Sequence, residues 1–375
     1  MNYDQKILII RFSSIGDIVL STSALRTIKL SYPDAQITFL TLDEYTPLLE
    51  YHPDIDLLLS ISRKSTFLEL WDFSKYLYRK DYSLIFDLHN SIRSNIITFH
   101  SKSPLYQLKK PRLKRALLFS FHKSYFGAQF SAREMYHDHI GPIWNKGDHI
   151  PPTLLALSGH ELKVAKKQLI SKGILDDYIA VVPGAAWKQK QWSAKKYIDT
   201  LKQLDMPAVL VGGINDKICQ EICDGLKRSV NLAGKTSLRE SMAILVNAKY
   251  IIGSDTGLIH AAEALGKSVS MILGPTSVET GAGIVLPEST VIEKDIWLMA
   301  FHPDDEPNEL VYAHEDLKSV IDISYAMIFI QRLSKLHEAA EKLKKTGYYK
   351  EYEQQFGLMD MLRVRETYYR RLKDG

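Results

Sequence analysis

The chain has 375 residues, with 48 Lys and Arg against 44 Asp and Glu. It is too long for one typical core and lacks the overall basic excess of a nucleic-acid binder, so any basic function must come from local clustering. Its two cysteines, Cys219 and Cys223, lie four apart on an expected helix; this excludes a disulfide framework or a zinc ribbon and reads as two buried thiols in a reducing compartment. No apolar run approaches the ~20 residues that span a bilayer. Lys6 to Arg11 leads into a strand rather than a signal peptide, so the expected location is the cytoplasm.

Taken in order, Lys6 to Arg11 (KILIIR) is a short apolar run, the pattern of a parallel strand covered on both faces. Phe12-Ser13-Ser14-Ile15-Gly16-Asp17 follows, then a helix from Ile18 to Leu30 ended by Ser31-Tyr32-Pro33. This turn lacks GxGxxG, so the dinucleotide fingerprint is absent. It sets one carboxylate, Asp17, beside a glycine at the carboxyl end of the first strand, the edge where open α/β sheets bind ligands. The competing reading of Asp17 is a first-turn acid that stabilises the helix dipole. Strands from Gln36 to Thr41, Asp56 to Ile61 and Tyr82 to Leu88, with a helix from Phe67 to Arg79, predict an α/β fold with a parallel sheet.

From Arg93 to Lys123 the chain turns basic, through Lys102, Lys109, Lys110, Arg112, Lys114, Arg115 and His122, with almost no acids. A solvated face fits this stretch, and so does a site for an anionic acceptor or an anionic membrane surface. Nucleic acid fits less well, since no recognised module accompanies it. His137-Asp138-His139 lacks the further ligands that a metal needs, and no metal is expected. Residues 141–152, with three prolines and two glycines, form the expected linker.

The second half repeats the pattern: a helix from His160 to Ser171, a buried-type strand from Tyr178 to Val182, then the loop Pro183 to Trp192 and a helix capped by Ser193. A strand from Pro207 to Val211 leads to Gly212-Gly213-Ile214-Asn215-Asp216 and a helix through Lys227. After a strand from Val230 to Ala233, Ser237 and Glu240 predict a capping box. Tyr250 to Pro275 reads as strand, tight turn, helix and strand, with Gly253-Ser254-Asp255-Thr256-Gly257 at the turn. A helix starting at Thr256 or Gly257 aims unpaired N–H groups and a positive dipole end outward, a seat for phosphate that Gly257 lets an anion approach closely. His260, one turn on, reaches the same side. An ordinary turn with Asp255 or Thr256 as N-cap is the plainer alternative.

Together, KILIIRFSSIGDIVLSTSALRTIKLSYPDAQITFLT, VVPGAAWKQKQW, AVLVGG, NLAGKTSLRE, IIGSDTGLIHAAEALGKSV and the following GPT resemble glycosyltransferase family 9, the heptosyltransferases of the lipopolysaccharide inner core. The resemblance spans most of residues 6–280 and implies the GT-B fold, two Rossmann-like domains facing across a cleft. The implied domains are 1–150 for the acceptor and 151–320 for the nucleotide sugar, with 321–375 as helices packing back or lying on the membrane. It implies ADP-heptose as donor, an anionic lipid-linked oligosaccharide as acceptor, peripheral contact with the inner face of the cytoplasmic membrane, and no cofactor. It makes Asp17 the general base. Ser13, Ser14, Gly16, Lys190, Asp255, Thr256, Gly257, Leu258 and His260 would serve the donor diphosphate and sugar, with Gly212 and Asp216 near the nucleoside. Arg63, Lys64 and Arg93 are the acceptor candidates.

These residue types suit an inverting displacement. One carboxylate takes the proton of the incoming hydroxyl, and a lysine and a helix N-terminus take the leaving charge in place of a metal. Three rivals stand: a same-fold transferase with another sugar or a protein acceptor, a nucleotide-binding scaffold without catalysis, and an NAD-dependent oxidoreductase. The joint presence of Asp17, Lys190 and the 255–260 motif argues against a scaffold, and the missing GxGxxG against an oxidoreductase.

Overall fold

In the computed structural model the described residues are 5–109, 131–185, 190–204, 206–273, 283–284 and 286–293. The expected features at residues 110–130, at 274–282 and in the segment 321–375 lie outside them. The compact unit that runs through Ile292 holds two sheets.

The first sheet is five-stranded and parallel, built from β1 (Lys6–Ile10), β2 (Gln36–Leu42), β3 (Leu57–Ile61), β4 (Leu84–Asp87) and β5 (Leu105–Gln107) in the order β3-β2-β1-β4-β5. The central strand shows why its sequence is apolar from Ile7 to Ile10. Ile7 and Ile9 enter one core cluster while Leu8 and Ile10 enter another on the opposite face. A strand buried on both sides has no polar phase. Helix α1 (Ile15–Ser31) supplies Ile18, Val19, Leu25 and Ile28 to the first cluster. Between β2 and β3 lies the short α2 (Thr46–Leu49). Helices α3 (Phe67–Lys80) and α4 (Ile92–Thr98) supply Leu70, Leu77 and Ile97 to the second cluster. The short α5 (Ala132–His137) joins the first, with Tyr136 fully buried.

The second sheet runs β11-β10-β9-β6-β7-β8. Its strands are β6 (Ile179–Val182), β7 (Ala208–Leu210), β8 (Ser229–Asn231), β9 (Tyr250–Ser254), β10 (Ser270–Leu273) and β11 (Thr290–Glu293). Helix α6 (Gly159–Ile170) leads into β6, and α7 (Ala194–Gln203), α8 (Ile218–Asp224), α9 (Leu238–Asn247) and α10 (Gly257–Ala264) lie between successive strands from β6 to β10. The expected box at α9 is present: Glu240 N donates to Ser237 Oγ at 3.2 Å, and Ser237 N to Glu240 Oε2 at 2.7 Å. Both cysteines lie on α8, but only Cys219 is buried; Cys223 is half-buried beside Ser229 Oγ at 3.1 Å. Strand order reverses direction at β1/β4 in the first sheet and at β6/β9 in the second, and the crevices beyond those strand ends are where such sheets bind ligands.

The two sheets share an apolar seam. Helix α1 packs on α10, and Met242, Ala261 and Ala264 join Ile18, Val19 and Ala24 in one cluster. Alanines at the contact allow close backbone approach. The crossing segment is packed into this seam rather than left as a free linker: Leu155 N donates to Ala264 O at 2.9 Å and Leu154 N to Thr22 Oγ1 at 3.0 Å. Arg239 of α9 fastens the other side. It is 9 % exposed and donates to Glu161 on α6, to Ala156 O at 3.1 Å, and to Pro47 O of α2 at 2.7 Å. Its guanidinium holds the Glu161 carboxyl down to about 2.

His52 adds a pH-sensitive contact. It is 4 % exposed, its Nδ1 accepts from Asp54 N at 3.1 Å, and burial pushes it down to about 4. A histidine with its folded value below the unfolded one contributes stability in full above pH ~6.5, and that contribution fades as pH falls toward 4. Between pH 7 and 4.5 we expect His52 to account for a loss of about 2 kcal/mol. Urea titrations of the native chain and of His52→Asn at both pH values check it; an equal decline in the two proteins would refute it.

Candidate active site

The site begins at the carboxyl end of β1. Asp17 is the third residue of α1, so its carboxylate folds back onto the helix start: Oδ2 accepts from Ser14 N at 3.2 Å and Ser14 Oγ at 3.0 Å. The same oxygen pairs with Arg11 Nη2 at 2.9 Å, and Oδ1 accepts from Tyr136 OH at 3.0 Å. Asp17 therefore does cap its helix, as the plainer sequence reading has it, but the carboxylate is also held by two buried residues outside α1. Burial pushes the Asp17 carboxyl up. The Arg11 guanidinium, the Ser14 N–H, the Tyr136 hydroxyl and the Ser14 hydroxyl together outweigh it, leaving Asp17 below its ordinary value. It is a stably ionised carboxylate. Ser13 is half-buried on the same turn, and Ser14 is exposed.

The 255–260 motif lies directly against this turn. A Cβ on Gly16 would stand 3.3 Å from His260 Cδ2, and one on Gly257 only 2.5 Å from Ile15 Cβ. The sequence reading gives Gly257 the task of admitting an anion. In the structure the nearest constraint is α1 itself, since a side chain there would collide with Ile15 and the Gly16 backbone. Two helix N-termini thus meet at glycines. Thr256 is the N-cap of α10, yet its side chain makes no capping bond; its buried Oγ1 has no partner among the described residues. Leu258 is half-buried against the apolar cluster of the second sheet.

Asp255 is buried and holds Lys190 and His260. Oδ2 pairs with Lys190 Nζ at 2.6 Å, and Oδ1 lies 3.2 Å from His260 Nε2. Burial opposes its charge, but the bond from His260 and the charges of His260 and Lys190 win, so its carboxyl lies well below the usual range. His260 is itself 4 % exposed, so its contact is with Asp255 rather than with open solvent. Lys190 remains about a quarter exposed, which leaves its ammonium within reach of a second anion.

Asp216 sits over two glycines at the carboxyl ends of β6 and β7. Gly213 N donates to its Oδ2 at 2.6 Å, and a Cβ on Gly184 or Gly212 would fall 2.2 Å or 2.6 Å from its carboxyl atoms. The structure thus gives Asp216 and Gly212 a shared packing role. The acceptor candidates gather near the end of β3. Arg93 donates to Ser62 O at 3.2 Å and to Arg63 O, Arg63 pairs with Glu44 and Tyr45 OH, and exposed Lys64 follows. His137 and His139 turn inward to carbonyls, at 2.8 Å from Arg133 O and 2.7 Å from Met135 O. No group of three or more metal-ligating side chains occurs among the described residues.

Sequence reasoning did not find Arg11 and Tyr136. Arg11 carries a weak signal, a charge closing an apolar strand. Tyr136 carries none, because it reaches Asp17 from 119 residues away.

Residues 70–299 match the model of glycosyltransferase family 9 (heptosyltransferase), more than half of the chain. Lipopolysaccharide heptosyltransferase 3 of Escherichia coli K12 is 28% identical over 291 residues, covering 70% of this chain and 80% of its own. Lipooligosaccharide heptosyltransferase 2 of Haemophilus influenzae is 27% identical, covering 72% and 84%. Among solved structures, E. coli ADP-heptose lipopolysaccharide heptosyltransferase II superposes with a TM-score of 0.64 at 24% identity, over 77% of this chain and 90% of that one. A family 9 glycosyltransferase from Veillonella parvula gives 0.65 at 19%, over 78% and 88%. The parallel sheets with their reversal points and this similarity agree on the GT-B architecture, and the chain belongs to glycosyltransferase family 9, a family of heptosyltransferases.

Proposed function

We propose that this glycosyltransferase moves heptose from ADP-heptose, with inversion and without a metal, onto an anionic lipid-linked acceptor of the lipopolysaccharide inner core. The observation that supports the reading best is the close approach of Gly16, the residue before the ionised Asp17, to His260 of the Lys190–Asp255–His260 group. In this reading Asp17 takes the proton of the attacking hydroxyl. Lys190 and the first-turn N–H groups of α10, with Thr256 Oγ1, take the charge that develops on the departing diphosphate. The donor is favoured by two E. coli relatives of solved structure, an ADP-heptose lipopolysaccharide heptosyltransferase II and a heptosyltransferase bound to ADP-2-deoxy-2-fluoro heptose. Arg63, Lys64 and Arg93 are proposed to meet the acidic acceptor.

No helix among the described residues is long and apolar enough to cross a membrane. Peripheral contact is favoured by exposed apolar residues on α3 and α4, Phe67, Leu68, Ile92 and the C-cap Phe99, with exposed Lys64 three positions before Phe67 in the chain. Aromatic and basic side chains side by side suit an anionic bilayer surface.

Calorimetry with ADP, UDP, GDP, CMP and NAD in the presence of a chelator tests the donor. We expect ADP to bind ahead of the others and Lys190→Ala to weaken it by roughly tenfold to a hundredfold, the worth of a charge-assisted contact to phosphate. Preference for UDP or GDP would move the donor sugar elsewhere. Tight NAD binding, or no binding of any of the five, would overturn the reading.

A further inference from the structure

The two oxygens of the Asp17 carboxylate are held unequally. Oδ2 accepts from Arg11 Nη2 at 2.9 Å, Ser14 N at 3.2 Å and Ser14 Oγ at 3.0 Å. A carboxylate oxygen offers two lone pairs, so Oδ2 is filled. Oδ1 accepts from Tyr136 OH at 3.0 Å and, among the described residues, from nothing else. One lone pair on Oδ1 stays open.

The holders are fixed from below. Arg11 is 4 % exposed, its Nη1 donates to Leu88 O at 2.7 Å, and its guanidinium carbon lies 5.3 Å from the centre of the Tyr136 ring. Tyr136 is fully buried, whereas the Asp17 side chain is 36 % accessible. Cation and phenol form the floor, and the carboxylate is the part that a substrate can touch.

We infer that Arg11 and Tyr136 are positioning residues which present Asp17 Oδ1 as the proton-accepting oxygen of the transfer. The inference rests on the reading of Asp17 as general base. In the step, the acceptor oxygen forms its bond to the anomeric carbon. The bond from that carbon to the diphosphate oxygen breaks with its electron pair, and the hydroxyl proton passes to Oδ1. Protonation removes the charge that neutralises buried Arg11, which is costly, so Asp17 is a weak base. A weak base suits a proton that leaves late, once the new bond has acidified it.

The test is the pH profile of kcat for Tyr136→Phe, Arg11→Met and Arg11→Lys, read as ADP release from ADP-heptose with heptose-deficient lipopolysaccharide as acceptor. Asp17→Asn is the reference, and thermal melting monitors folding. Removing a donor or cation that favours the ionised form raises the carboxyl pKa, so the acid limb should move to higher pH in Tyr136→Phe and further in Arg11→Met. Arg11→Lys should recover part of the shift, a rescue that a purely structural role would not give. We expect kcat to fall roughly tenfold in Tyr136→Phe with KM for the donor little changed, the effect of a misaimed base. If Asp17→Asn is inactive and the folded variants keep the native acid limb, the positioning role is wrong and the general base stands. If Asp17→Asn transfers at the native rate, the general-base reading itself falls. Should Tyr136→Phe or Arg11→Met not fold, the limb of Arg11→Lys decides: a native position there refutes the inference.

Discussion

Asp17→Ala is expected to keep nucleotide affinity while losing transfer by roughly two to four orders of magnitude, the scale of a missing general base. The split follows from where the groups lie. The carboxylate belongs to the first sheet's α1, whereas Lys190, Thr256 and the N-terminus of α10 belong to the second. Removing Asp17 takes one charge from α1 and leaves the Lys190–Asp255–His260 group intact. The side chain also caps α1 through Ser14, so a modest drop in stability, on the order of 1 kcal/mol, should accompany the loss. Calorimetry with ADP and a single-turnover transfer assay on the same preparation separate the two effects. Unchanged transfer in Asp17→Ala would remove the carboxylate from the mechanism.

The largest effect on stability is expected at Arg239. Replacing it with alanine takes the guanidinium from Glu161, which keeps its Ser158 bonds, and takes donors from Pro47 O and Ala156 O, so the cost should be about 2–4 kcal/mol. Arg239→Lys should recover only part of this. An ammonium keeps the charge, but it cannot fork to Glu161 while also reaching two carbonyls on different elements. Its partners come from both sides of the seam, so the loss loosens the attachment of one sheet to the other as well as α9 itself. Urea denaturation of the two variants at pH 7 measures it. A change below 1 kcal/mol in Arg239→Ala would show that the side chain is not a fastener.

Much of the architecture was legible from local patterns. KILII reads as a doubly covered strand because the four residues from Ile7 to Ile10 are all apolar, and they alternate between two cores as that pattern demands. Ser237 and Glu240 announce a helix start at three-residue spacing, and the box forms. Signals of this kind are local, since the interacting groups are neighbours in the chain. The elements that sequence reading left out are short: α2 has four residues, α4 seven, β5 three, α5 six and β11 four. Segments of that length present no full period to recognise, and tertiary packing defines them.

The candidate site divides along the same line. Sequence by itself determined which residue types stand at the strand ends: Asp17 after β1, Thr256 and Gly257 after β9, Lys190 after β6. Only the tertiary structure decided what they pack against. It set Gly257 against Ile15, brought Lys190 and His260 to Asp255, and set Asp216 over Gly184 and Gly212. It brought Tyr136 to Asp17 across 119 residues and joined Arg239 to α2 across 192. The physical reason is distance along the chain. A capping bond or an apolar period is written within one turn, whereas the partner of a buried charge is chosen by the packing of elements far apart in sequence.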